Sequence, residues 1–241
     1  MIPKTIHYCW FGTGKLPPLA NRCIASWKTF LPEYEIIEWN ERNFSVQSNR
    51  YVSEAYQNRK YAFVSDFVRL YVLYHRGGVY MDTDVEVLQP LDKFLIHEAF
   101  SGFESPQDVP TGIMASVKNQ PFIGELLGEY ENRAFVKSDG TLDTSTNVLF
   151  ITNSASRHGL KLNGAKQEVN GMMFYPPEYF CPYDNATGVK AITKNTHCIH
   201  WFAKSWVAPR KRLRSTITRV FHRFFGKDCF LWLKKLLHES R

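Results

Sequence analysis

No apolar run in this 241-residue chain approaches the roughly 20 residues that cross a bilayer, which excludes a membrane-spanning helix. The opening Met1-Ile2-Pro3-Lys4 leads straight into a strand-like segment and lacks the charged and apolar regions of a secretory leader. Cysteine is sparse: Cys9, Cys23, Cys181, Cys198 and Cys229 are scattered, with no Cys-x-x-Cys pair. That pattern argues against a disulfide framework and against structural zinc. These absences predict a cytoplasmic protein with free thiols, in which the sequons at Asn43 and Asn185 meet no glycosylation machinery. Internal repeats and low-complexity linkers are missing too.

What is present is a large apolar content, 44% overall with 15% aromatic, enough for a sizeable core in one α/β domain. The net charge of +7 is unevenly placed. Residues 209–241 hold ten Lys or Arg against two acids, a local +8 that leaves residues 1–208 at −1. A uniformly basic nucleic-acid binder would not look like this. The division is therefore one domain over 1–208 and a basic tail over 209–241.

Strand-like and helix-like segments alternate along the domain in a Rossmann-like order. Strands are expected at 4–10, 34–39, 79–81, 99–104, 112–116, 172–175 and 196–201. Helices are expected from Pro17-Pro18 to Pro32, near 53–59, over 62–76 and from Pro121. The 62–76 helix is apolar on most sides, as suits a buried helix. Asp66 and Arg69 interrupt it at i and i+3, so they share a face and can pair. Gly77 stands where a left-handed cap is usual, and Gly78 frees the turn into Val79-Tyr80-Met81.

That strand ends in Asp82-Thr83-Asp84. Ligands of open α/β sheets bind at the carboxyl ends of strands. Two carboxylates there suit a hard divalent cation that also grips phosphate oxygens, and their mutual repulsion calls for a cation or a proton. The competing reading is a solvated polar turn. Asp66 and Arg69 have two readings as well: a buried pair that fixes helix orientation, or contacts to a polar ligand near the cation.

The run SDFVRLYVLYHRGGVYMDTDVE resembles the DXD region of glycosyltransferase family 32, which includes fungal Golgi mannosyltransferases, bacterial capsule and lipopolysaccharide transferases and, more distantly, glucosylating toxins. IPKTIHYCWFG is similar to the family's first strand and nucleotide loop, and HCIHWFAKSW to its closing motif, so the resemblance covers roughly residues 1–208. It implies a GT-A-type mixed sheet flanked by helices, followed by the basic amphipathic helical tail. It also implies a metal-dependent retaining hexosyltransferase of surface polysaccharide synthesis, using a nucleotide sugar, UDP-linked in many bacterial members. The acceptor would be a glycan or a lipid-linked saccharide.

Carried over residue by residue, the resemblance puts Mn2+ or Mg2+ most directly on Asp84, with Asp82 meeting ribose, sugar or the metal through water and His200 meeting the metal or a phosphate. Asp66 would meet the sugar hydroxyls and Arg69 the diphosphate. Tyr8, Trp10 and Phe11 would form the nucleotide loop, with Trp10 or a neighbour as a stacking surface for the base. Ser205 and Trp206 would steady the leaving group. Tyr80 has two readings, cover for the ribose or ordinary core. His197 lacks zinc partners at the required spacing and reads as a packing residue. Residues 108–111 and 143–153, with Asn147 and Thr152, are candidate acceptor loops, although ordinary turn chemistry explains them equally.

In the tail, Ile217, Val220, Phe221, Phe224 and Phe225 recur at helical spacing, followed by Phe230, Leu233, Leu236 and Leu237. Basic residues between them suggest an anionic membrane surface, placing the protein on the inner face of the plasma membrane. A helix pair docked on the domain is the alternative. Two rival functions stand beside the transferase. An aspartate-nucleophile phosphatase shares the apolar strand and Asp-x-Asp, but no Gly-Asp acid cluster follows Asp84. A non-catalytic lipid or nucleic-acid binder would use the basic tail and leave the diacid without a role.

Overall fold

A computed structural model describes residues 1–109 and 112–203, together with the isolated positions 218, 222 and 223. Nine strands are described: β1 (Thr5–Cys9), β2 (Glu35–Trp39), β3 (Gly78–Met81), β4 (Val85–Val87), β5 (Ala99–Gly102), β6 (Ile113–Ser116), β7 (Gln167–Val169), β8 (Met172–Tyr175) and β9 (Cys198–His200). Six helices join them: α1 (Pro18–Phe30), α2 (Arg50–Gln57), α3 (Tyr61–Arg76), α4 (Pro121–Gly128), α5 (Asn147–Arg157) and α6 (Pro177–Phe180). Seven strands form one mixed sheet in the order β2-β1-β3-β6-β5-β8-β7, and β4 pairs with β9 in a separate two-stranded sheet. This is the helix-flanked mixed α/β sheet expected from the sequence.

Strand alternation divides the core into two layers. Ile6 and Tyr8 of β1, with Val79 and Met81 of β3, pack beside Trp27 of α1. Cys9 and Tyr80 turn to the other face, among α3 residues such as Val64, Phe67 and Val68. β1 is parallel to β2 on one side and to β3 on the other. The crossover from β1 to β2 through α1 and the crossover from β2 to β3 through α2 and α3 therefore cover opposite faces of the sheet. Such a switch in strand order opens a crevice at the carboxyl ends of the strands. The four described cysteines are free and buried.

The turn from α3 to β3 delivers the diacid. Gly77 caps α3, donating its N–H to the Leu73 carbonyl at 2.9 Å. Its φ of 70° with ψ of −170° is positive but extended, so the left-handed helical cap expected from the sequence is not the geometry used. Gly78 has φ +106°, and a Cβ there would lie 2.7 Å from the Thr5 carbonyl and 2.9 Å from His7 Nε2. Only glycine lets β3 come this close to β1.

Two expectations need correction. Residues 147–153 are not an acceptor loop but most of helix α5, capped by the Thr146 hydroxyl, which accepts from Leu149 N. Thr152 is buried, its Oγ1 accepting the Val109 N–H at 3.0 Å. Asn147 is buried as well and bonds the Asp66 carbonyl at 3.4 Å. Both side chains brace the scaffold beneath the site.

Candidate functional site

β3 ends at Met81, so Asp82 emerges at the crevice, and its N–H donates to the Gly112 carbonyl at 2.8 Å. Asp84 follows one turn later, just before β4. β4 pairs with β9 so that Val85 faces His200. That pairing brings a residue 116 positions downstream against the diacid, since each strand is too short to be stable alone. Ligand atoms of Asp82, Asp84 and His200 all lie within 4.8 Å of one another.

The two carboxylates sit in different surroundings. Asp82 Oδ1 accepts from Arg69 Nη2 at 3.0 Å and from the Tyr80 hydroxyl at 3.2 Å. Arg69 Nη2 also reaches Asp66 Oδ1 at 3.1 Å, so one guanidinium bridges two acids while lying 4.7 Å above the Tyr80 ring. Burial raises the Asp82 carboxyl above its usual range, against the pull of Arg69. Burial likewise pushes Asp66 up to about 6, again opposed by Arg69. At Asp84 burial also acts upward, but His200 and the Ala203 amide outweigh it and hold the group low. His200 Nε2 lies 3.4 Å from Asp84 Oδ1, and that carboxylate raises the imidazole despite its burial.

The segment after β9 folds over Asp84. Trp201 N donates to the Asp84 carbonyl at 3.0 Å, and Ala203 N to Asp84 Oδ2 at 2.7 Å. Phe202 turns the chain with φ +51°, unusual for a non-glycine residue, and its ring lies 4.1 Å from that of His200. Trp201 is pinned by its indole N–H on Glu86 at 2.7 Å, with Arg22 and Lys190 over its ring at 5.2 and 4.7 Å. The donor set, two carboxylates and an imidazole crowded together, fits a divalent cation.

The structure thus brings together Asp66, Arg69, Tyr80, Asp82, Asp84 and His200. It spreads the nucleotide-loop candidates over different environments. Tyr8 is 7% exposed, packs edge-on against Trp27 and donates its hydroxyl to Glu38 at 2.7 Å. Phe11 is 6% exposed and meets Phe44 edge-on in the opposite layer. Both are core residues, with no ring face open for a base. Trp10 alone of the three is partly exposed, its indole N–H closing the loop on the Gly14 carbonyl at 2.6 Å. His197 is buried, bonded to the Pro90 carbonyl and packed on Phe94, the packing role expected of it. Ser205, Trp206, Thr111 and, apart from three isolated positions, the tail over 209–241 lie outside the described residues.

One residue beside the site escaped the sequence reading. Glu104 follows β5 as Asp82 follows β3, a half-buried acid just beyond a buried strand. Burial raises its carboxyl, opposed by the charge of His200.

Residues 17–101 match the family model described as the glycosyltransferase sugar-binding region containing DXD motif. Inositol phosphoceramide mannosyltransferase 3 of Schizosaccharomyces pombe is 28% identical over 141 residues, 56% of this chain and 38% of that protein. Mannosyl phosphorylinositol ceramide synthase SUR1 of Saccharomyces cerevisiae is 29% identical over 159 residues, 63% of this chain and 41% of its own length. The chain therefore spans about two fifths of these relatives. Among solved structures, PaToxG Glycosyltransferase is similar with a TM-score of 0.48 and 19% identity, covering 65% of this chain and 69% of that one.

Proposed function

This chain belongs with the glycosyltransferases whose sugar-binding region carries a DXD motif, and on that premise we propose that it transfers a hexose from a nucleoside-diphosphate sugar. The receiving group is a hydroxyl of a glycan or lipid-linked saccharide, and the anomeric configuration is retained. The observation that carries this reading is the convergence of Asp82, Asp84 and His200 at the sheet's switch point. A divalent cation held there supplies Lewis-acid stabilisation of the charge that develops on the departing diphosphate.

The chain's own residues do the rest. Arg69, kept charged by two acids, holds Asp82 in place and offers positive charge to the donor's phosphates. Asp66, at the crevice side of α3, accepts hydroxyls of the bound hexose. His200–Ala203 cover Asp84 and exclude water from it. Trp10 is the ring available to stack on the nucleobase. No side chain is assigned as a nucleophile; the acceptor hydroxyl attacks from the face the diphosphate leaves.

The names of the relatives favour mannose and a lipid-linked acceptor, while the sequence resemblance favours a UDP-hexose donor and surface polysaccharide synthesis. A panel of UDP- and GDP-hexoses, assayed for nucleotide release with and without Mn2+, decides between donors. Release from at least one donor with Mn2+, and loss of about 100-fold or more in Asp84→Asn, is the expected result. Metal-independent turnover, or full turnover in the variant, removes the reading. The tail's place at an anionic membrane surface, and with it the peripheral cytoplasmic location, rests on its sequence charge alone. An aspartate-nucleophile phosphatase gains no support, because Asp82 Oδ1 is already engaged by Arg69 and Tyr80.

A further inference from the structure

β4, the strand that follows the diacid, is fastened to α1 along its length. Trp27 Nε1 donates to the Val85 carbonyl at 2.7 Å, and the Val87 N–H donates to the Ser26 hydroxyl at 2.9 Å. Val85 and Val87 are fully buried, so strand alternation turns Glu86 out of their layer. There its carboxylate pairs with Arg22 of α1 at 3.5 Å and accepts the Trp201 indole N–H at 2.7 Å. The proposed mechanism gives Glu86 no task.

A sharply bent segment follows from that indole bond. β9 ends at His200, and Trp201 N adds one more ladder bond, to the Asp84 carbonyl. Phe202 then has φ +51°, a conformation that is costly for a residue with a Cβ and persists where surrounding contacts impose it. This turn returns the Ala203 N–H to Asp84 Oδ2 at 2.7 Å and lays the Phe202 ring 4.1 Å from that of His200. Two of the three metal donors, Asp84 and His200, therefore lie against the turn. Its upstream anchor is the Trp201 side chain, and the fixed end of that anchor is Glu86 on an immobilised strand.

We propose that Glu86 is a positioning residue for the metal site: by holding the Trp201 indole it imposes the turn at Phe202, and so keeps Asp84 and His200 arranged as a pair of metal donors. The inference rests on the metal site of the proposed function. The hydrogen bond, rather than the charge, carries the effect, because the Arg22 side chain is 56% exposed and such a pair is worth little.

Three single variants of the full chain test this. Glu86→Ala removes the acceptor, Glu86→Gln keeps a side-chain oxygen able to accept the indole N–H, and Trp201→Phe keeps a ring but removes the donor. Mn2+ affinity and stoichiometry are read by electron paramagnetic resonance, and amide exchange over 198–203 by mass spectrometry without metal. Loss of a partner that orients a metal ligand typically weakens affinity about 10- to 100-fold. The expected result is one Mn2+ per chain throughout, bound about tenfold or more weakly in Glu86→Ala and Trp201→Phe and recovering in Glu86→Gln. The Ala–Phe double variant should lose no more than either single one, because both remove the same bond. Exchange over 198–203 should quicken in Glu86→Ala and Trp201→Phe, with α1 unchanged. Wild-type affinity in Glu86→Ala, additive losses in the double variant, or Glu86→Gln as weak as Glu86→Ala would each overturn the proposal. So would a fall in the number of sites with faster exchange in α1, which marks a general loss of fold. No Mn2+ uptake by the wild type would instead remove the metal site itself, and this role of Glu86 with it.

Discussion

At the scale of single residues, the site is governed by Arg69 more than by any other side chain. Its guanidinium is 5% exposed and divides one nitrogen between Asp66 and Asp82. Removing the cation from a buried pair leaves uncompensated negative charge, which costs about 3–5 kcal/mol. Arg69→Met is therefore expected to lower the urea unfolding free energy by about that amount, well beyond the effect of Asp66→Asn. Similar losses in the two variants would show that the bridge contributes little. Gly112 is the second informative position. A methyl there collides with the His200 imidazole at its Nδ1 and Cγ, which lie 2.9 and 3.1 Å from the added Cβ. Displacing a metal-ligand imidazole through its surroundings typically weakens affinity about 10- to 100-fold. Gly112→Ala should show that loss in a Mn2+ titration, and unaltered affinity would argue that His200 is not a ligand.

Among the elements, the α3–β3 turn and β1 act as one unit through His7. The imidazole is 1% exposed, its Nδ1 accepting from Trp39 Nε1 at 3.1 Å and its Nε2 donating to the Gly77 carbonyl at 2.9 Å. Both nitrogens are committed to the neutral ring. Burial pushes its pKa down to about 4, helped by the nearby Arg76. In the unfolded chain the ring titrates near its ordinary value of about 6.5, so between those values the unfolded state binds more protons. Stability is full above about 6.5 and falls as pH drops toward 4, by about 3 kcal/mol across the window. Replacement of His7 by Asn should flatten that part of a stability-against-pH curve measured by denaturant unfolding. An equally steep curve would assign the acid sensitivity to other groups.

How far the elements were legible in the sequence follows the strength of their patterns. α3 and β3 announced themselves, with a long apolar helix, Gly-Gly and a β-prone tripeptide before the acids. α1 was bracketed by prolines; its Cys23 and Trp27 lie in the core, while Phe30 is 37% exposed. β4 and β7 were invisible because three residues carry no usable period, and β4 exists only through its pairing with β9. α5 begins among Thr, Ser and Asp, which read as a loop until a hydroxyl is seen to cap a helix. In the nucleotide loop, period-two alternation from β1 sends Tyr8 and Cys9 to opposite layers.

For the molecule as a whole, the sequence named Asp82, Asp84 and His200 from two distant stretches, and the structure brings the three together. The motif order carried that information, while nothing local at Glu104 distinguished it from a surface acid. The central claim is that Asp82, Asp84 and His200 jointly hold one divalent cation that anchors a nucleotide diphosphate. Its most direct test is an electron paramagnetic resonance titration of Mn2+ into the wild type and into Asp84→Asn, each with and without GDP or UDP. The account predicts a single saturable site per chain, tightened by the nucleotide and lost in the variant. No Mn2+ uptake by the wild type, or identical uptake by the two proteins, would contradict it.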